Sequence, residues 1–496
     1  MTIKKINIDT LMTSSGVKFG TSGVRGLVEK MSNEVCYAYT TAFLQEVVAK
    51  SALIENVNGT DEPSSIGKVI LGHDLRPSSP YIASICAAAI QHAGGKVVYA
   101  GALPTPALAY YAQLEHAPAI VVTGSHIPFD RNGIKFYSHQ GEITKADELA
   151  IQHAIVDMPN SLPNYTLPAA DKDVEAQYIK RYVDFFANAG LKGLRVAIYE
   201  HSSVARDLLR AIFEALGVEV LSLGRTDAFV PIDTEAVRPE DIIQAANWAQ
   251  DYIFDAIVST DGDADRPLIG DEHGQWLRGD VVGILCAKYL AANAVVTPVS
   301  SNTLTEKSTW FEQVIRTQIG SPYVIAAMQQ AANDTKGLVV GFEANGGVLV
   351  GNDSMQAGKK LTALATRDAV LPILAVLAMA QQRACKVSGL LKSLPSRYTY
   401  SDRLQNCPTL QSTQLLNLLQ HQAQQAQLMM APDAGQIVAT DITDGLRLSF
   451  SNGDIVHLRP SGNAPELRCY AESDTQENAK FLCTQCLARV AAALGL

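Results

Sequence analysis

Residues 255–267 read DAIVSTDGDADRP. The run AIVST is short, apolar and β-branched, which predicts a buried strand. Asp261, Asp263 and Asp265 follow at once, spaced i, i+2, i+4. They fall in the loop at a strand's carboxyl end, where open α/β sheets place ligands. Three carboxylates forced into one tight loop repel unless a cation neutralises them. Oxygen-only ligands suit Mg²⁺ or another hard cation. An EF-hand loop begins similarly, and Glu272 falls at its twelfth position. Arg266, however, stands sixth, where the sharp turn needs glycine, and a strand rather than a helix leads in. A solvated acidic turn is the bland alternative.

Working outward, strands and helices alternate. KVILG (68–72), KVVYAG (96–101) and AIVVTGS (119–125) read as strands separated by helical SSPYIASICAAAIQHAG (78–94) and TPALAYYAQLE (105–115). That order predicts a mostly parallel sheet covered on both faces. LRVAIYE, VEVLSLG and DAIVSTD repeat it, and so do AVVTPVSS and GLVVGFE. After Leu394-Pro395 a Gln-rich helical piece (411–428) precedes short alternating strands, an α+β pattern with an antiparallel sheet. The fold class expected is α/β: three mixed α/β domains with largely parallel sheets, spanning 1–160, 161–293 and 294–395, plus an α+β domain at 396–496. Residues 51–67 read as a surface insertion, and no fixed-period repeat is visible.

Composition narrows the function. The 496 residues are 47% apolar and 18% charged, enough for several cores and too apolar for a disordered chain. No apolar run reaches membrane-spanning length and no apolar leader is seen near Met1. The net charge of −10, without a basic run, argues against nucleic-acid binding. Eight cysteines are scattered, and the single CxxC pair, Cys483 and Cys486, sits in a helical stretch as two core residues. A reducing cytoplasm is expected, with no nucleic acid, membrane or obligate protein partner.

Four further stretches carry chemistry. In VVTGSHIPFDRNGIKFY (121–137), Ser125 follows a buried strand without the G-x-S-x-G of a nucleophile elbow. His126 is adjacent in sequence and need not reach the Ser125 hydroxyl. A serine beside a metal can carry a phosphoryl group, and Lys135 is a candidate cation or proton carrier; read alone, the segment is a turn or a helix cap. In LRPSGNAPELR (458–468), Arg459, Ser461 and Asn463 can donate to a phosphate from a turn between strands, with Arg468 on the strand that follows; an ordinary surface turn is the alternative. In VVGFEANGG (339–347), Glu343 and Asn345 together suit paired sugar hydroxyls, or merely close a strand-to-turn junction. KFGTSGVRG (18–26) spaces its glycines G-x-x-G-x-x-G, unlike a dinucleotide fingerprint, and could aim Arg25 at a phosphate. No P-loop motif occurs, so ATP use is not supported.

Taken in order, GTSGVRG (20–26), TGSHIP (123–128), DGDADR (261–266), FEANGG (342–347) and RPSGNAP (459–465) resemble the motifs of the α-D-phosphohexomutase family, across nearly the whole chain. The resemblance implies a four-domain heart shape and a phosphoserine at Ser125. It implies Mg²⁺ on Asp261, Asp263 and Asp265 with a phosphoserine oxygen, and a catalytic set of Ser125, Arg25, His126, Lys135 and Arg266. Glu343 and Asn345 would hold the sugar, and Arg459, Ser461 and Asn463 the phosphate that is not reacting. A hexose 1-phosphate and a hexose 6-phosphate would interconvert through a bisphosphorylated hexose, which is both intermediate and activator. Mannose phosphate is the first expectation for the substrate, with glucose and glucosamine phosphates as alternatives. The chain departs from the family's usual T-A-S-H-N-P at Gly124 and Ile127, and has Gly347 where the sugar loop often ends in histidine. Lys135, Arg367 and Lys359 are the candidates for the proton-accepting role that histidine is given. FEANGG also resembles the loop of N-acetylglucosamine-phosphate mutases. Two rival classes are a metal-dependent sugar-phosphate phosphatase, since D-x-D after a strand also opens aspartyl-phosphate sites, and a non-catalytic sugar-phosphate sensor.

Overall fold

The computed structural model describes residues 3–20, 23–50, 66–162, 165–461 and 465–496. Most of the expected insertion at 51–67, and Asn463, lie outside the described residues.

The stretches with Ser125, the aspartates and Glu343 are each the turn of an antiparallel hairpin, and Arg459 stands near the end of the first strand of a fourth antiparallel pair. The strands are β1 (Ala119–Val122) with β2 (Arg131–Ser138), and β3 (Ala256–Thr260) with β4 (Pro267–Gly270). Next come β5 (Val339–Phe342) with β6 (Val348–Val350), and β7 (Ile455–Pro460) with β8 (Leu467–Ser473). Every residue of β1, β3 and β5 is buried, as continuous apolar runs covered on both faces must be.

The first three sheets repeat one plan. β1 runs parallel to Lys68–His73, which runs parallel to Lys96–Ala102. β3 runs parallel to Arg195–Tyr199, and that strand to Glu219–Leu223. β5 runs parallel to Ala294–Pro298, and that strand to Gln313–Thr317. In each case the chain then turns at the carboxyl end of the third strand and returns antiparallel. The sheets are therefore mixed, and each return strand buries a polar turn at the end of its sheet. In the first sheet Val24–Leu27 adds to β2, with Arg25 opposite Gly133, so the end of KFGTSGVRG is a strand beside the serine hairpin.

Helix Lys172–Phe186 was not anticipated. Its buried Val174, Tyr178, Tyr182, Phe185 and Phe186 form one face at helical spacing. They join a core that runs without a break through the first three units and includes the packed helices Gly279–Tyr289 and Val370–Gln382. The last unit has its own core under an all-antiparallel sheet that begins with Tyr398–Leu404, a strand also not anticipated. Cys483 and Cys486 are buried in that core, and all eight cysteines are free.

Polar groups join the last unit to the third. Arg397 donates to Glu472 (2.7 Å), which accepts from the Thr303 N–H (3.0 Å), and the Ile319 N–H donates to Asp444 (2.9 Å). Among the described residues no helix is long and apolar enough to cross a membrane.

Candidate active site

The serine turn and the aspartate turn meet. Ser125 Oγ donates to Asp261 Oδ2 at 2.6 Å and lies 3.2 Å from His126 Nδ1. Ser125 is buried and its backbone is left-handed, with φ 54°. The Asp261 and Asp263 side chains share one buried cluster with Asp265, in which an oxygen of each carboxylate lies within 4.8 Å of the others.

Cations and hydroxyls hold the cluster from outside. Lys135 Nζ donates to Asp263 Oδ2 and Asp265 Oδ2, both at 2.7 Å. Thr105 Oγ1 donates to Asp263 Oδ2 at 2.6 Å. Arg367 donates to Asp265 Oδ2 (2.7 Å) and to Glu343 Oε2 (2.8 Å), and so ties the aspartate turn to the Glu343 turn. Asp263 Oδ1 and Asp265 Oδ1 remain buried and hydrogen-bond to no described residue. Buried carboxylate oxygens seldom stay unpaired. Asp265 Oδ1 has Arg266 Nε 3.6 Å away, and an all-oxygen set with two such oxygens fits a hard divalent cation.

The electrostatics divide the cluster. Burial, together with Asp263 and Asp265, pushes the Asp261 carboxyl well above the usual carboxylate range. Burial alone would raise Asp265 too, but Arg367, Lys135 and Arg266 hold it well below. Lys135 and Arg367 are also deeply buried, yet their carboxylate partners more than offset this and keep both charged. Burial, with Arg266 beside it, lowers the Arg25 guanidinium to about 10. Burial and the same arginines hold the His126 imidazole well below its ordinary value, hence neutral.

A cavity of about 270 Å³ opens beside this cluster; Ser125, Lys135 and the three aspartates are not in its lining, whereas their neighbours His126 and Arg266 are. Arg25, His126, Arg266, Glu343, Asn345, Arg367, Arg459, Ser461 and Arg468 line it. Arg459 and Arg468 face each other across β7 and β8, and Arg459 Nε donates to Asp444 at 2.9 Å. Lys359 lies on a two-stranded hairpin with Ser354–Gln356 and is not in the lining. A Cβ on Gly347 would sit 2.7 Å from Arg367 Cδ, so the Arg367 stem occupies the space a side chain there would need. Two acids on an unremarked loop, Asp233 and Glu235, also line the cavity.

Two groups behind the serine turn escaped the sequence reading. Asp74 accepts from the Thr123 hydroxyl (2.8 Å), and Arg76 donates to the Ser125 carbonyl (2.9 Å). The signal was present, since HDLRP follows strand KVILG as the aspartates follow theirs.

Comparison with known proteins agrees with this geometry. Family models described as Phosphoglucomutase/phosphomannomutase alpha/beta/alpha domains I, II and III match residues 16–159, 176–274 and 278–398, and the C-terminal domain matches 415–488. A phosphomannomutase of Salmonella muenchen is 46% identical over 489 residues, 99% of this chain and 98% of that protein. The chain belongs to the α-D-phosphohexomutase family. It is accordingly an isomerase of the phosphosugar-mutase type. Two solved phosphohexomutases share the four-domain α/β fold. One is a phosphoglucomutase/phosphomannomutase family protein from Burkholderia thailandensis (TM-score 0.71, 19% identity, 95% of this chain and 97% of that one). The other is an Aspergillus fumigatus N-acetylphosphoglucosamine mutase in complex with GlcNAc-6P and magnesium (TM-score 0.58, 14% identity, 98% and 99%).

Proposed function

We propose that this phosphohexomutase interconverts mannose 1-phosphate and mannose 6-phosphate in the cytoplasm through a phosphorylated Ser125. The observation that carries the transfer chemistry is the 2.6 Å contact between Ser125 Oγ and Asp261, made between turns at the ends of two different sheets. The 46% identity to a protein named phosphomannomutase supports the choice of sugar. The free cysteines suit a reducing compartment.

Asp261, Asp263 and Asp265, with an oxygen of the phosphoserine, would hold Mg²⁺. The metal, when bound, supplies positive charge to the phosphoryl oxygens. In the first half-reaction a bond forms between the sugar hydroxyl oxygen and phosphorus while the Ser125 Oγ–P bond breaks. The hydroxyl proton ends on Ser125 Oγ, which then donates to Asp261. His126 Nδ1, at 3.2 Å, lies within reach as a relay. Lys135 and Arg367 are tied to carboxylates and act as fixed cations; with Arg25 and Arg266 they face the charge that spreads over the transferring group. The hexose bisphosphate then turns over, and its other phosphate returns to Ser125. Any hexose bisphosphate able to rephosphorylate Ser125 would serve as activator.

Turning over requires a second site that takes either phosphate. Arg459, Ser461 and Asn463, with Arg468, form that grip, while Glu343 and Asn345 hold the sugar hydroxyls between. With limits at 1–160, 161–293, 294–395 and 396–496, each domain contributes one turn to the task. Mannose, glucose and glucosamine 1-phosphates assayed side by side test the proposal. The highest kcat/KM is expected for mannose 1-phosphate; a preference for either other sugar would refute the assignment.

A further inference from the structure

Arg76 is among the largest fully buried side chains, yet it touches none of the groups to which a role has been given above except through backbone. All five of its side-chain N–H groups are used. Nε donates to Asp74 Oδ2 (3.1 Å), Nη1 to the carbonyls of Pro128 (2.7 Å) and Arg131 (3.0 Å), and Nη2 to those of Ser125 (2.9 Å) and Ile127 (2.5 Å). One planar fork therefore collects four carbonyls from the serine turn. Asp74 takes the opposite polarity of the same turn, accepting from the Thr123 hydroxyl at 2.8 Å and the Gly124 N–H at 3.3 Å.

The guanidinium is enclosed on both faces. On one side a Cβ at position 124 would lie 2.6 Å from Arg76 Cζ, so glycine there permits the contact. On the other, the Phe229 ring centroid is 4.1 Å from Cζ. Phe229 comes from the second unit, and its ring is also 3.4 Å from where a Cβ on Gly262 would stand, in the aspartate turn. The stack thus touches both turns that meet at the reacting oxygen. Ser125 holds a left-handed backbone, which costs a non-glycine residue about 1–2 kcal/mol and persists only where its surroundings fix it.

We propose that Arg76, stacked between Gly124 and Phe229, is a positioning residue for phosphoryl transfer. It holds Ser125 in the left-handed conformation and sets the serine turn in register with the aspartate turn of the next unit. This rests on Ser125 being the phosphoryl carrier. A displacement of about 1 Å at the reacting atom is enough to slow such a step about 100-fold. Lysine keeps the charge but cannot present five coplanar donors.

The test compares Arg76→Lys, Phe229→Ala and Phe229→Tyr in the full chain, with steady-state kinetics on mannose 1-phosphate normalised to the folded fraction. Arg76→Lys should lower kcat about 100-fold with KM within about twofold. Phe229→Ala should lower kcat by about tenfold with KM unchanged, and Phe229→Tyr, which keeps the ring, should restore it. If Arg76→Lys does not fold, the two Phe229 variants decide alone. Wild-type kcat in Phe229→Ala, a rise in KM of the same size as the loss in kcat, or no rescue by tyrosine overturns the proposal. Ser125→Ala is run alongside: full turnover in that variant would refute the phosphoserine itself, whereas its inactivity beside an unaffected Phe229→Ala refutes only the role of Arg76.

Discussion

Asp261 and Asp265 stand four positions apart in one turn and are pushed in opposite directions. Asp265 accepts from Lys135 and Arg367, both buried, whereas Asp261 receives the Ser125 hydroxyl and one backbone N–H. Removing the charge of Asp265 leaves Lys135 with Asp263 alone and Arg367 with Glu343 alone, and weakening two buried pairs in that way costs up to about 3–5 kcal/mol. Removing the charge of Asp261 relieves repulsion and should cost about 1 kcal/mol or less. Urea unfolding without divalent ions should therefore rank Asp265→Asn well below Asp261→Asn in stability; the reverse order would contradict the charge division. The aspartates, Ser125 and Glu343 were legible because each lies in a polar turn that ends an apolar strand, and Lys135 because it follows the serine turn on the return strand. The pairing of Arg367 with Asp265, and the seats of Thr105 and Arg76, were not. Their partners are far away in the chain, and only the fold brings them together.

The hairpin is the element that matters. Strand AIVST and its relatives were readable from β-branched, apolar runs, but the return strand PLIG was not, because it is four residues long and opens on proline and ends on glycine. Helix Lys172–Phe186 did carry a helical spacing of apolar residues, diluted by charge. In the last hairpin, β7 and β8, Arg459 is held by Asp444, whose other oxygen caps the Ile319 N–H of the third unit. One carboxylate thus holds the arginine of the proposed phosphate grip and docks the unit that carries it. Asp444→Asn should raise KM for the sugar phosphate about tenfold, as loss of one charged hydrogen bond of about 1.5 kcal/mol would, with a smaller change in kcat. An unchanged KM would separate Asp444 from the grip.

At the scale of the molecule, three units share one apolar core and the fourth has its own, joined to the third through side-chain and backbone hydrogen bonds. Buried histidines tie stability to pH in both parts. Burial lowers His201 in the second unit and His457 in the fourth to about 4. Between the ordinary value near 6.5 and that value the unfolded chain binds the extra protons, so stability is complete above about pH 6.5 and is lost as pH falls toward 4. Each histidine contributes on the order of 3 kcal/mol to that loss. Denaturant unfolding at pH 7 and pH 5 should show it, and His457→Gln should flatten the dependence; an equal slope in the variant would contradict it. The four-unit plan was legible from alternating strands and helices, but the convergence of four distant turns on one cavity was available only from coordinates. The direct test of that convergence is to mix the enzyme with isotopically labelled hexose 1,6-bisphosphate, quench within one turnover and map the labelled peptide. The label is expected on Ser125, and only when Asp261, Asp263 and Asp265 are intact; label on an aspartate, or on no residue at all, would contradict the account.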